Sequence, residues 1–161
     1  MSTTFSGPII SQNGFITQGS GAVVDVANNT NTLALTVADH AGRIVKTNDA
    51  TLAIVLPTIT TATLGAVYTI FVETTAASLI SIATDGTDKF VGSINVIDTD
   101  SSGAMYGFAP AAANDFINMN GTTTGGIAGS VVVITALATN KYMVQGNLLG
   151  SGVVATPFAN S

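Results

Sequence analysis

The stretch Val131-Val-Val-Ile-Thr-Ala-Leu137 (VVVITAL) decides the fold class. Five of its seven residues branch at Cβ. Such side chains lose rotamer freedom in a helix and pack well on a pleated surface. Its alternate positions are apolar on both faces, the pattern of a strand inside a sheet rather than at its edge. It falls far short of the roughly 20 apolar residues that a membrane helix needs. The segments before and after it carry the same two-residue period. Leu33, Leu35 and Val37 alternate with smaller or polar residues, and Ile44-Val45 follows a turn at Gly42. Leu52, Ile54 and Leu56 share one face against Ala53 and Val55 on the other, and Pro57 stops the run. Tyr68, Ile70 and Val72 oppose Thr69, Phe71 and Glu73. Ile80 and Ile82 repeat the period, a run from Phe90 to Ile97 follows the turn Asp85-Gly86-Thr87-Asp88, and Tyr142 and Val144 open a last strand after Thr139-Asn140.

Short alternating strands with turn signals about every 8–12 residues predict a sandwich or barrel. The expected fold is all-β: an antiparallel β-sandwich, jelly-roll-like, over residues 33–149. No heptad pattern predicts a coiled coil, and no period of about 20–50 residues predicts a solenoid. Residues 1–32 read differently. Gly7-Pro8, Asn13-Gly14 and Gly19-Ser20-Gly21 punctuate the segment, and its apolar residues come singly or in pairs. That pattern suits an extended N-terminal arm that lies on something, with Phe5, Ile9, Ile10 and Phe15 as its contacts; the alternative is an ordinary leading strand with loose turns. Residues 150–161 form a C-terminal tail whose corresponding contact is Phe158. Gly103–Asn120 reads as a long loop tethered by Phe108, Phe116, Ile117 and Met119.

The chain has 161 residues, a one-domain length. Hydrophobic residues make up 47%, which is ordinary. Charged residues make up 8%, against roughly 25% in a typical soluble domain. Thr, Ser, Asn, Gly and Ala fill the gap. Four Lys and Arg neutralise few phosphates, so nucleic acid is not an expected partner. With no Cys there is neither a disulfide framework nor a thiolate metal site. High hydrophobicity with low charge is the reverse of a disordered composition. The N-terminus lacks a basic, apolar leader pattern, so a leaderless chain is expected, with no membrane partner. A surface so poor in charge suits a protein covered by other subunits, or one whose Thr, Ser and Asn do the solvating.

Candidate chemistry is sparse. His40 is the only histidine, and His40-Ala41-Gly42-Arg43 reads as a turn. There is no G-x-S-x-G nucleophile elbow. The nine acids fall mostly at turns, where Asp bonds the local backbone. Asp98-Thr99-Asp100-Ser101-Ser102-Gly103 matches the first half of an EF-hand loop, but Ala109 stands where the bidentate Glu belongs. The glycines at Gly121–Gly129 have no P-loop Lys. Two N-x-[ST] triplets, at Asn28 and Asn120, carry no expectation in a leaderless chain. No catalytic, metal or cofactor residue is predicted, and an enzyme is not expected.

The opening MSTTFSGPIISQNGF is similar to short virion proteins of tailed bacteriophages. AGRIVKTNDATLAIVLPTIT (Ala41–Thr60) has a Gly-Arg strand start and a strand ending at Leu56-Pro57. Gly65-Ala66-Val67-Tyr68, Ile80–Ile82, Gly92-Ser93-Ile94, Gly129–Leu137 and Lys141–Gly146 follow. This pattern, over roughly residues 39–147, resembles the capsid decoration, or cement, proteins of tailed phages; Tyr142 stands where that pattern often has Trp. The resemblance implies a structural virion protein on the capsid exterior. It would bridge major capsid protein subunits, often as a homo-oligomer (a trimer), and need no cofactor. A tail-fibre or head-fibre receptor-binding module is the alternative.

Overall fold

The strands form because β-branched and aromatic residues alternate with small polar ones, and turn residues end each run. The computed structural model describes residues 23–26, 32–48, 50–100 and 103–161. Two sheets face each other. One has seven strands: β1 (Val23–Val26), β3 (Ile44–Thr47), β5 (Val67–Val72), β10 (Val131–Ala138), β11 (Lys141–Gly150), β7 (Lys89–Asp98) and β8 (Met105–Phe108), in that spatial order. The other has five: β12 (Phe158–Ala159), β9 (Phe116–Met119), β6 (Ile80–Ala83), β4 (Leu52–Val55) and β2 (Thr32–Ala34). The all-β, two-sheet architecture is the expected one.

The core lies between the sheets and follows the two-residue period. Val45, Tyr68, Ile70, Ile134, Tyr142, Val144 and Leu148 of the large sheet are buried. Leu52, Ile54, Ile80, Ile82, Ile117 and Met119 of the small sheet meet them. Each such side chain contributes about 1.5–3 kcal/mol of transfer free energy. VVVITAL is the fourth of seven strands, central as its composition requires.

Four expectations are corrected. First, the sheets are mixed, not antiparallel: β1·β3, β3·β5, β7·β11, β2·β4 and β4·β6 are parallel pairs. Second, the rejection of a coiled repeat fails over the first half of the chain. Successive strands β1 to β6 alternate between the sheets, so each turn lays a new parallel strand beside the last. Val23 pairs with Ile44, and Ile44 with Thr69, across 21 and then 25 positions. In the small sheet Thr32 pairs with Ala53, and Leu52 with Ile80, across 21 and then 28. The drifting interval leaves no period to detect. Third, the domain boundaries move. Residues 23–26 and 32 belong to the sheets, and residues 150–161 end in β12, paired with β9. Fourth, the supposed long loop contains β8 and β9, and the expected Leu33–Val37 alternation ends in a helical turn, α1 (Val37–His40).

Candidate functional site

Three polar clusters were open to chemistry, and each is bonded into the fold. Thr36 caps α1: its Oγ1 accepts from the Asp39 N–H at 3.1 Å and donates to Asp39 Oδ2 at 2.8 Å. His40 Nδ1 accepts the Thr36 backbone N–H at 3.0 Å, and the imidazole is buried. The Asp39 carboxylate therefore bonds the hydroxyl rather than the imidazole, and the three groups do not form a nucleophile–base–orienter chain. The geometry is that of a capping turn.

The second cluster latches loops to the C-terminus. Asp85 Oδ1 accepts from the N–H groups of Thr87 (2.9 Å) and Asp88 (3.0 Å), the Asx turn that Asp at this position implies. The Asp88 N–H is the main cause holding the Asp85 carboxyl below its ordinary range. Asp88 is buried, and its Oδ2 accepts from the Ile59 N–H at 2.9 Å. Its Oδ1 has no hydrogen-bond partner, and burial pushes its pKa up. Nearby, the Tyr142 hydroxyl donates to the Pro57 carbonyl, and burial raises its pKa too. Lys89 Nζ bonds buried Asp115 Oδ2 at 2.8 Å, while Asp115 Oδ1 accepts from the Ser161 N–H at 2.8 Å. Lys89 is the first cause holding the Asp115 carboxyl low.

The third cluster is the half EF-hand sequence. Asp98 Oδ1 accepts from the Asp100 N–H at 3.2 Å, and Asp100 Oδ2 from the Gly152 N–H at 2.8 Å. Both carboxylates thus bond backbone amides. Among the described residues, no three His, Asp or Glu side chains gather as a metal-ligand set.

What remains unusual is a surface. The outward positions of the large sheet follow from its register. Val67, Thr135, Met143 and Val91 form one cross-strand row. Ile44, Thr69, Val133, Gln145 and Ser93 form the next. Lys46, Phe71, Val131, Asn147 and Asn95 form the third, with Leu149 and Ile97 beyond. On β5, β10, β11 and β7 the only outward charges are Lys89 and Lys141, at the first residues of their strands. On β3, Lys46 stands beside Phe71 and pairs with Glu73 at 3.0 Å. Asn95 Nδ2 donates to Asn147 Oδ1 at 3.2 Å within the face. Ile44 at 42% and Met105 at 63% exposure extend the apolar character to both sides. The outer face of the small sheet is also uncharged, with Ala53, Val55, Ala83 and Phe116 among its outward residues. A one-sided sheet in water ordinarily turns polar residues outward.

Of the contact residues expected from sequence, Phe5, Ile9, Ile10 and Phe15 lie outside the described residues. Phe158 is corrected: it is buried on β12, its ring centroid 6.5 Å from that of Phe90, and serves the core rather than a surface. Its isolation among small residues suggested a free tail; the pairing of β12 with β9 is what buries it. The signal for this nearly uncharged face is in VVVITAL, whose residues are apolar on both sides, although no local pattern says what covers the outer one.

Comparison with protein-family models, with curated proteins and with solved structures found no match.

Proposed function

We propose that the chain is a structural protein that covers and clamps other polypeptides, on the exterior of a tailed-phage capsid, where it bridges major capsid protein subunits. The observation that carries this reading is the pair of broad, nearly uncharged outer sheet faces, which water solvates poorly and which another protein would bury. Binding that occurs only to an assembled shell stabilises that shell by mass action. Apolar burial at about 25 cal/mol per Å² drives such docking, less the cost of ordering flexible segments. The resemblance to decoration proteins supplies the capsid as the partner.

Cryo-electron microscopy of purified particles carrying the chain tests the reading. Density on the capsid exterior across subunit junctions is the expected result. Density at a tail tip would move the protein to adhesion, and absence from particles would remove it from the virion. Deleting Ser2–Gly14 tests the arm: shell affinity is expected to fall, and an unchanged affinity rejects a docking arm.

A further inference from the structure

We propose that β8 (Met105–Phe108), the strand that ends the seven-stranded sheet, is a docking edge that takes up an extended, uncharged segment of a capsid protein as an additional β-strand. The inference rests on the reading of the chain as a protein that clamps other polypeptides. It names the element that clamps and the form of the segment it holds.

The backbone carries the argument. The Asp98 N–H donates to the Ala104 carbonyl at 2.8 Å, which makes these two residues a hydrogen-bonded pair of the β7–β8 ladder. In an antiparallel ladder such pairs alternate with pairs whose N–H and C=O groups point away from the partner strand. Met105 lies opposite Ile97, Tyr106 opposite Val96, Gly107 opposite Asn95 and Phe108 opposite Ile94. The alternation therefore turns the backbone groups of Tyr106 and Phe108 toward β7 and those of Met105 and Gly107 toward the open side. Among the described residues no strand pairs with β8 on that side. Two donors and two acceptors stand in line there, the two residues about 7 Å apart, a spacing that one further strand matches.

The other sheet ends are defended and this one is not. An open edge invites pairing, and proteins ordinarily blunt it by shortness, charge or Pro. β12 has two residues, β2 has three, and β1 reads VVDV, with an acid in its sequence. β8 has four residues, MYGF, and no charged residue occurs anywhere in 103–114. Pro110 lies beyond the strand and removes neither outward donor.

The side chains describe the segment. Phe108 packs against the core, and Tyr106, 46% exposed, lies on the same side of the strand. Met105 and Gly107 lie on the other side. A Cβ at Gly107 would meet only Asn95 Oδ1, at 3.5 Å, so there is room beside it for a large side chain of the incoming strand. Apolar and aromatic cross-strand neighbours fit these positions, whereas a charged segment would lose hydration against an edge that offers no counter-charge. A second copy of the chain has only another β8 to offer, since its remaining edges are the short or acidic ones.

Proline separates backbone pairing from side-chain contact. At Met105 or Gly107 it removes an outward N–H and no β7–β8 hydrogen bond, as edge strands tolerate. Co-sedimentation with purified phage shells lacking the chain is the first measurement. Met105→Pro and Gly107→Pro are each expected to weaken binding about tenfold or more with unchanged circular dichroism. Met105→Ala, which keeps the N–H, is expected to lose clearly less. The second measurement needs no shell and no variant. The probe is a synthetic octapeptide alternating Thr and Val, N-methylated at every second residue so that it cannot stack on itself. Its titration into the wild type is expected to move the NMR amide signals of Met105 and Gly107 more than those of Tyr106 and Phe108. The same peptide N-methylated throughout should leave them unmoved. Amide shifts in a protein that does not bind shells would sink the capsid reading and leave this one standing. Proline variants that bind shells as the wild type does, an equal loss in Met105→Ala and Met105→Pro, or amides that ignore the peptide overturn the proposal. Concentration-dependent shifts of the same amides without peptide overturn it too, because the edge would then pair with a second copy.

Discussion

Asp88 and Asp115 are neighbours in the same latch, and their carboxyl groups are shifted in opposite directions. Asp115 is held low by Lys89, so its contribution to stability is present above the unfolded carboxylate pKa, about 4, and is lost as pH falls through its lower folded value. Asp115→Asn is therefore expected to cost about 1–2 kcal/mol at neutral pH, a cost that disappears in acid. Asp88 behaves oppositely. Burial raises its folded pKa, so its charged form carries a penalty that is absent below about pH 4 and grows as pH rises through the folded value. Asp88→Asn keeps an acceptor for the Ile59 N–H and is expected to match or exceed the wild-type melting temperature at neutral pH. Thermal melts across pH 3–8 check both: the two difference curves should have opposite signs. Asp88→Asn melting below wild type at neutral pH would show that the buried charge is needed.

At the scale of the element, close approach of backbones sets limits that composition does not. Gly92 has φ +109° within β7, and a Cβ there would lie 2.3 Å from the Val144 carbonyl oxygen. Gly92→Ala is expected to destabilise by about 3 kcal/mol or more, read from the urea midpoint, because strain and backbone clash add. β12 has two residues, yet it places Phe158 on Phe90 and brings the Ser161 N–H to Asp115. Phe158→Ala is expected to cost about 3 kcal/mol, a core value and not a surface one. A change below 0.5 kcal/mol would return Phe158 to the surface. The strands that sequence made legible, β4, β5, β7 and β10, each have a run of alternating apolar residues long enough to outweigh local ambiguity. β8 and β9 were not legible, since Gly107 and Pro110 signal a loop and each strand spans four residues. Of the four tethers the sequence suggests there, Phe108, Ile117 and Met119 pack in or against the core, whereas Phe116 faces outward.

For the whole molecule, the placement of charge bears on the docking that the proposed function requires. If the chain binds its shell through the nearly uncharged faces, raising salt from about 0.05 M to about 0.5 M should leave the bound fraction unchanged or increase it, because few ion pairs are screened while apolar burial persists. Dissociation at high salt would point to a charged contact surface instead. Among the described residues, His40 bonds a capping turn, and the carboxylates of Asp85, Asp98, Asp100 and Asp115 accept backbone N–H groups.

Alone, the sequence determined the strand content, the inward face of each long strand and the shortage of charge, since all three are local: side-chain branching, a two-residue period and composition. Strand order, the parallel coiling of β1 to β6, the burial of Phe158 and the merging of outward residues from separate strands into one nearly uncharged face were decided only by tertiary structure. Those features depend on which segments become neighbours across 20 to 60 positions, and pairing at that range leaves no mark within either segment.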